Sequence, residues 1–548
     1  MPRLHVTFPF VGSAGCRTPA SPSSETMEHD KILPFESCDE EFRRLREAGR
    51  RIVHCHGTFD LIHPGHVKHL AEAKALGDVL VVSITAAPYV NKGPGRPAFS
   101  DEQRAFQLAH IGLVDHVVVV PHPYAVEIIE KVRPHVYCKG TEYAEPDTET
   151  DRRIDEDAEA VARSGGEVHF VGVPLHSSTQ LISQHLDTLD PEVRDYLAGF
   201  PVQDAAARIE DVVARMRELR VLVVGDLIID RYTYCHVQGL TSKAHVLSVR
   251  PDHSENYLGG SLAIARHISG FVSSTRLIAL AGDEPWLDQD LSHDVEGVEL
   301  DLVRDAEYQT IVKERFVERP GKREELIKHF AVNRLLDAPS QGLRDTLLER
   351  LEGALGSCDM VLLCDYGHGM IDPAVQRLLE EKSPYLALNA QTNSYNHGFN
   401  LITKYRRCDL FALDEIELWL AFGQRSAANA ELLGRLAEQL DAERGWLTLG
   451  SSGSLAWLRD GEPHSCPAMT RSTIDTVGAG DAFLAVAALC GRVGADAATS
   501  SVLSNLAGAM AANVVGNREA IEKEVVVKNA QYLLKARSAR DDSPAGGM

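Results

Sequence analysis

The sequence predicts an α/β protein built from two doubly wound domains, the second carrying a small β lid. Three observations support this. From "RIVHCHGTFD" to "EVHFVG", short apolar runs alternate with amphipathic helical patterns, as in a parallel sheet covered on both faces. A second alternation begins at "RVLVVGDLIID" and runs to "ATSSVLSNLAGAMAANVVG". The chain has 548 residues, too many for one ordinary domain, and its 44% hydrophobic content can fill two cores.

Residues 1–49 read as an extension. "TPASPSSET" has the polar composition of a disordered segment, and Met27 is an alternative start. The first domain, 50–186, begins with the strand "RIVHCHG". The helix "HVKHLAEAKALG" follows and is stopped by Gly77; "DVLVVSIT" is a buried strand, and Ser100 opens the helix "SDEQRAFQLAHIG". "HVVVVP", "HVYCKG" and "EVHFVG" are further strands, separated by the helices "AVEIIEKVRP" and "DEDAEAVARSGG". Residues 187–218 are helical and charged, suited to a linker or to packing helices. In the second domain, 219–537, the strands are "STRLIALAG", "DMVLLCDYG", "PYLALNAQ", "CDLFALDE" and "GWLTLGSSGSLAWL". The insert "RYTYCHVQGL…AHVLSVR" has β character and reads as the lid. The tail, 538–548, is polar and reads as disordered.

Composition narrows the function. With 56 basic and 79 acidic residues the net charge is −23, which disfavours nucleic acid and anionic membranes as partners. The ten cysteines are scattered without a C-x-x-C pair, so they read as reduced thiols of a cytoplasmic protein. No apolar run approaches the ~18–20 residues of a membrane span. Small anionic substrates held in local basic pockets remain.

"HGTFDLIHPGHVKHL" places a strand end, a Gly turn and a helix start together. Ligands of open α/β sheets bind beyond the carboxyl ends of the strands, and a helix N-terminus offers free N–H groups to phosphate. His63 and His66 are then phosphate donors, with Gly57 and Gly65 allowing close backbone approach. A zinc site would need a third ligand that this spacing does not supply. His56 and His69 read as bystanders.

The pattern G-T-F-D-x-x-H-x-G-H resembles the signature of the cytidylyltransferase-like nucleotidyltransferases. The resemblance implies a Rossmann-like fold and attack of a substrate phosphate on the α-phosphorus of a nucleoside triphosphate, without a covalent intermediate. It implies nucleotide or phosphate contacts from Gly57, Thr58, Phe59, Lys92, Arg96, Arg104, Lys139, Ser178 and Thr179, with His63 and His66 catalytic. "YCKGTEY" departs from the family's Lys-Gly-Gly-Asp-Tyr at Thr141 and Glu142.

"RSTIDTVGAGDAFLAVAALC" sets Gly478-Ala479-Gly480-Asp481 before an apolar helix, an anion cradle with a carboxylate poised to take a proton. The alternative is a simple Asp cap after a Gly loop. "DTVGAGDAF" resembles the signature of the ribokinase-like (PfkB) carbohydrate kinases. By that resemblance Asp481 is the base, and Asp230, Gly259 and Gly260 serve the sugar. Asp414 and Glu417 lie near Mg²⁺ and phosphate. Thr448, Gly450, Gly453, Gly478, Ala479, Gly480 and Asn505 line the nucleotide side. A dimer through the lid is also implied.

Together the halves resemble the bifunctional heptose kinase/adenylyltransferase family of ADP-heptose synthesis, with the domain order reversed. Ala263 stands where that family has Asn, and Lys243 where it has Glu. A Lys there favours a sugar phosphate. The implied substrates are a heptose 7-phosphate and a nucleoside triphosphate, ATP or CTP, with Mg²⁺. A kinase half acting only as a sugar-phosphate-binding regulator, and a transferase for another alcohol phosphate, are the alternatives. The amide-rich "NAQTNSYNHGFNLITKY" reads either as a wall of the sugar site or as a hydrogen-bonded loop.

Overall fold

The computed structural model describes residues 31–90, 96–140, 152–171, 190–200, 205–292, 295–318, 326–335, 338–393, 396–425, 427–470 and 473–541. The segment "TPASPSSET" and Met27 lie outside them, as do Lys92, Ser178 and Thr179. The chain divides into two compact units.

The first unit holds β1 (Ile32–Leu33), β2 (Ile52–Gly57), β3 (Val79–Thr85), β4 (His116–Val120), β5 (Val136–Gly140) and β6 (Glu167–Val171). They form one sheet in the order β1-β4-β3-β2-β5-β6, every pairing parallel. Helices Pro64–Lys74 and Asp101–Ala109 bury Leu70, Ala73 and Leu108 on one face. Helices Cys38–Glu47, Val126–Val132 and Arg152–Arg163 bury Phe42, Ile129 and Val161 on the other. Ser100 opens its helix with a reciprocal capping box to Gln103. Residues 31–49 are therefore no mere extension in this part: β1 pairs with β4, and Phe42 is fully buried.

The second unit contains β7 (Arg220–Gly225), β8 (Leu227–Leu240), β9 (Leu247–Gly259), β10 (Ser274–Ala281), β11 (Val298–Arg304), β12 (Ile311–Glu318), β13 (Ile327–Arg334), β14 (Met360–Asp365), β15 (Leu386–Ala390), β16 (Leu410–Asp414), β17 (Arg444–Thr448), β18 (Ser454–Leu458) and β19 (His464–Cys466). The main sheet runs β11-β10-β7-β14-β15-β16-β17-β18-β19, parallel except for the last two pairings. Period-two alternation sends Val221 and Val223 into one core and Leu222 and Val224 into the other.

A four-stranded lid, β13-β12-β8-β9, stands apart from the main sheet. The insert expected as the lid supplies β8 and β9, while β12 and β13 are additional to it. Parallel register sets Lys313 beside Asp230 and Arg315 beside Tyr232. Helices Pro191–Gly199 and Ala205–Met216, expected as linker or packing helices, pack Leu197, Ile209 and Met216 into the second unit's core. The last helix, Lys523–Asp541, extends past the expected domain end at 537. Among the described residues no helix is long and apolar enough to cross a membrane.

Candidate active sites

In the first unit the strand order changes direction between β2 and β5, the crevice where such sheets bind ligands. β2 ends at Gly57, and the chain turns through Phe59, whose φ of 44° is left-handed. A Cβ on Gly57 would stand 3.2 Å from the Phe59 ring, so glycine lets that ring fold back on the strand end. His63 then caps helix Pro64–Lys74, its Nδ1 accepting the Gly65 N–H at 3.1 Å. A ring nitrogen that accepts carries no proton, so neutral His63 holds its hydrogen on Nε2 and can donate to a ligand. Burial lowers its pKa below the ordinary 6.5. The His66 ring lies 4.0 Å from that of His63 and 5.2 Å from Phe59.

His56 is tied to Ser83 at 2.8 Å and Thr85 at 3.2 Å. His69 is half-buried on helix Pro64–Lys74. Lys139, at the end of β5, ion-pairs with Asp157 at 3.1 Å.

Arg104 corrects an expectation. Its side chain is fully buried, and it donates to the carbonyls of Thr58 (2.7 Å) and Thr85 (2.9 Å) while pairing with Asp101. It buttresses the strand ends instead of facing a phosphate. Arg96 is buried as well.

The second unit encloses a cavity of about 940 Å³. Its wall brings together Asp230, Gly260, Asp414, Glu417, Thr448, Gly450, Gly453 and Asn505 with the loop Gly478-Ala479-Gly480-Asp481. Gly478 caps helix Ala479–Arg492 at φ 85°, and a Cβ there would strike Asn517. Only glycine fits. Gly259 presses on Asp230, whose Oδ2 would lie 2.3 Å from an added Cβ. Asn505 donates to Ser454 Oγ at 2.7 Å.

Burial pushes Asp481 up to about 7, against a hydrogen bond from the Tyr366 hydroxyl at 3.1 Å. Such a carboxyl is poised to act as a base near neutrality. Asp414 and Glu417 form a capping box, each carboxylate taking the other's backbone N–H, and Glu417 also accepts from Thr392 N–H at 2.8 Å. Burial, with Asp414 adding to it, pushes Glu417 up to about 8. These hard oxygens on the cavity wall suit a magnesium ion held largely through water and substrate phosphates. Among the described residues, no group of three His, Cys, Asp or Glu side chains is placed to hold a metal alone.

Lys243 corrects a second expectation. It is exposed in the turn between β8 and β9 and does not line the cavity. Among the described residues, the cavity's cations are Lys313 and Arg315 on β12. Arg315 pairs with Asp230. Burial lowers the pKa of Lys313, while Asp230, Asp226 and Asp481 pull it the other way. The amide-rich segment is mainly a hydrogen-bonded loop: Asn393, Asn396 and Asn400 donate to the carbonyls of Tyr366 and Asp365, while Asn389 and Gln391 line the cavity.

Comparison with known families decides the assignment of this unit. Residues 218–524 match the model of the pfkB family of carbohydrate kinases, more than half of the chain. The chain belongs to that family.

Ahead of the pfkB region, residues 54–184 match the cytidylyltransferase-like family. Among curated proteins, the Bifunctional protein HldE of Syntrophotalea carbinolica is 35% identical over 165 residues, 29% of this chain and 32% of the relative. The Helicobacter pylori protein of the same name is 40% identical over 117 residues, 21% and 25% of the two chains. These matches lie in the cytidylyltransferase-like part and span about a third or less of the relatives' length. Among solved structures, phosphofructokinase-2 from Escherichia coli aligns with 57% of this chain and 99% of its own, at 15% identity and a TM-score of 0.47.

Proposed function

We propose that the pfkB region phosphorylates a hydroxyl of a sugar phosphate and that the cytidylyltransferase-like region joins a sugar 1-phosphate to a nucleotide. The kinase reading rests on Asp481, a half-buried carboxylate at a helix start that shares one cavity with Asp230, Lys313 and Arg315. As the acceptor oxygen bonds to the γ-phosphorus of the nucleotide and the diphosphate leaves, Asp481 takes the hydroxyl proton. General-base help of this kind is worth roughly 10²–10⁴ in rate. The N–H groups of the Gly478–Asp481 loop and the ammonium of Lys313 neutralise the transferring phosphoryl group. Asp414 and Glu417 would hold a magnesium ion, which when bound would supply charge neutralisation at the phosphates.

In the other region, an oxygen of the sugar phosphate attacks the α-phosphorus and pyrophosphate leaves. The Nε2–H of His63 and the ring of His66, at the start of helix Pro64–Lys74, meet the developing charge. The sequence resemblance carried by "VGDLIIDRY" and "CDYGHGMI" favours a heptose 7-phosphate phosphorylated at its anomeric hydroxyl, and AMP drawn from ATP. Exposed Ile327, Phe330 and Val332 on the lid suit pairing of two copies there.

A panel of sugar phosphates with ATP or CTP, scored by product mass and pyrophosphate release, tests the assignment. Asp481→Asn is expected to abolish phosphorylation and keep nucleotidyl transfer to supplied sugar 1-phosphate; His66→Ala is expected to do the reverse. Loss of both activities in either variant would overturn the two-site reading, and turnover of no heptose phosphate would remove the heptose assignment.

A further inference from the structure

Tyr366 follows β14 and is 2% exposed. Its hydroxyl donates to Oδ1 of Asp481 at 3.1 Å, and among the described residues no other side chain hydrogen-bonds that carboxylate. Its own backbone is unusually well held. The Tyr366 carbonyl accepts from Asn393 Nδ2 and from Asn396 Nδ2, each at 2.8 Å. The preceding carbonyl, of Asp365, accepts from Asn400 Nδ2 at 2.9 Å. Gly367 follows at φ 71°, and a Cβ there would lie 2.2 Å from Asn396 Nδ2, so the loop closes tightly on this turn. Two of the loop's amides thus hold the tyrosine's own carbonyl, and a third holds the carbonyl before it.

We infer that Tyr366 is a positioning residue for the kinase step: its hydroxyl occupies Oδ1 of Asp481 and leaves Oδ2 to receive the proton of the attacking hydroxyl. This rests on the kinase reading above. Burial drives the Tyr366 phenol well above its ordinary range, so it stays a donor at every working pH. Among the described residues, the other charged or titratable groups facing Asp481 are Asp230 from β8, Lys313 from β12, Cys364 from β14 and Glu417 from the helix after β16. Of these groups, only Tyr366 hydrogen-bonds Asp481, so only it selects one oxygen.

Two measurements on the full chain test this. In steady-state kinetics, Tyr366→Phe is expected to lower kcat about ten- to a hundredfold, the worth of one hydrogen bond to a charged group. The KM for the sugar phosphate should be little changed, and the acidic limb of the kcat profile should move to higher pH. The second measurement needs no activity. Asp481 has a folded pKa of about 7 against an ordinary 3.8, so its contribution to stability is lost as pH rises through that interval. The melting-temperature gap between Asp481→Asn and the native chain should widen up to about pH 7 and then level. In the Tyr366→Phe background the gap should keep widening to higher pH. A gap that follows the same curve in both backgrounds, or a Tyr366→Phe enzyme with an unmoved acidic limb, would reduce the tyrosine to packing and overturn the inference. A native chain that phosphorylates no sugar phosphate would refute the kinase reading itself, whatever the melting curves show.

Discussion

Lys313 gains its place from strand register alone. β12 pairs in parallel with β8, and that register sets Lys313 opposite Asp230 on the face that lines the cavity. Its ammonium lies 5.7 Å from the centroid of the Tyr366 ring. A cation held there, partly stripped of water, interacts with a transferring phosphoryl group far more strongly than a surface lysine does. Lys313→Met is expected to lower kcat for sugar-phosphate phosphorylation by about 10²–10³, the usual cost of one missing charge stabiliser. Lys243→Ala should leave it unchanged, because Lys243 is exposed in a turn. Steady-state kinetics on the two variants checks this, and equal losses would return Lys243 to the site. At this scale the sequence revealed what is contiguous. Gly478, Gly480 and Asp481 sit within four residues of one another, whereas Lys313 is far from Asp230 in the chain and reaches it only through pairing. Arg104, expected by resemblance to contact the nucleotide, is instead fully buried on the carbonyls of Thr58 and Thr85, which its place in the chain does not reveal.

The lid is the element whose role the sequence concealed most. "IVKERFVE" places Lys313 and Arg315 at alternate positions, and in the fold both line the cavity. The β8–β9 hairpin was legible from its own pattern, while β12 and β13 needed tertiary pairing to be seen as lid. Lid and anion loop meet at Asp475, the first carboxylate of "DTVGAGD". The Tyr232 hydroxyl donates to Asp475 at 2.6 Å, Lys328 on β13 reaches it at 2.7 Å, and Val477 N–H donates to it at 3.0 Å. Burial alone would raise this carboxyl, but Lys328 and Tyr232 outweigh it and hold it below the ordinary value. It stays ionised across the neutral range, so one carboxylate ties two lid strands to the phosphate cradle. Lys328→Met is therefore expected to lower kcat/KM for the sugar phosphate about tenfold, as loss of a charged hydrogen bond would. Kinetics with Lys328→Met and Tyr232→Phe, singly and together, checks it; strictly independent effects would show that the contacts do not act as one latch.

Over the whole molecule, the two half-reactions carry different proton requirements. On the proposed mechanism the kinase step needs Asp481 ionised, and burial has pushed it up to about 7, so phosphorylation should be suppressed below that pH and rise through it. At the transferase site the proposed donor His63 behaves differently. Burial holds His63 below its ordinary 6.5, and Nδ1 already accepts the Gly65 N–H, so above that pH the ring is neutral with its donor on Nε2. Nucleotidyl transfer is therefore expected to stay flat between about pH 6.5 and 8 while phosphorylation rises severalfold across the same window. Both rates, measured on one preparation of the full chain with saturating substrates, check this. Parallel profiles would mean that one titration governs both steps, and the assignment of Asp481 to the kinase step alone would fail. Agreement would make Asp481 the proton-sensitive step of the proposed sequence, limiting how much sugar 1-phosphate reaches the transferase as pH falls.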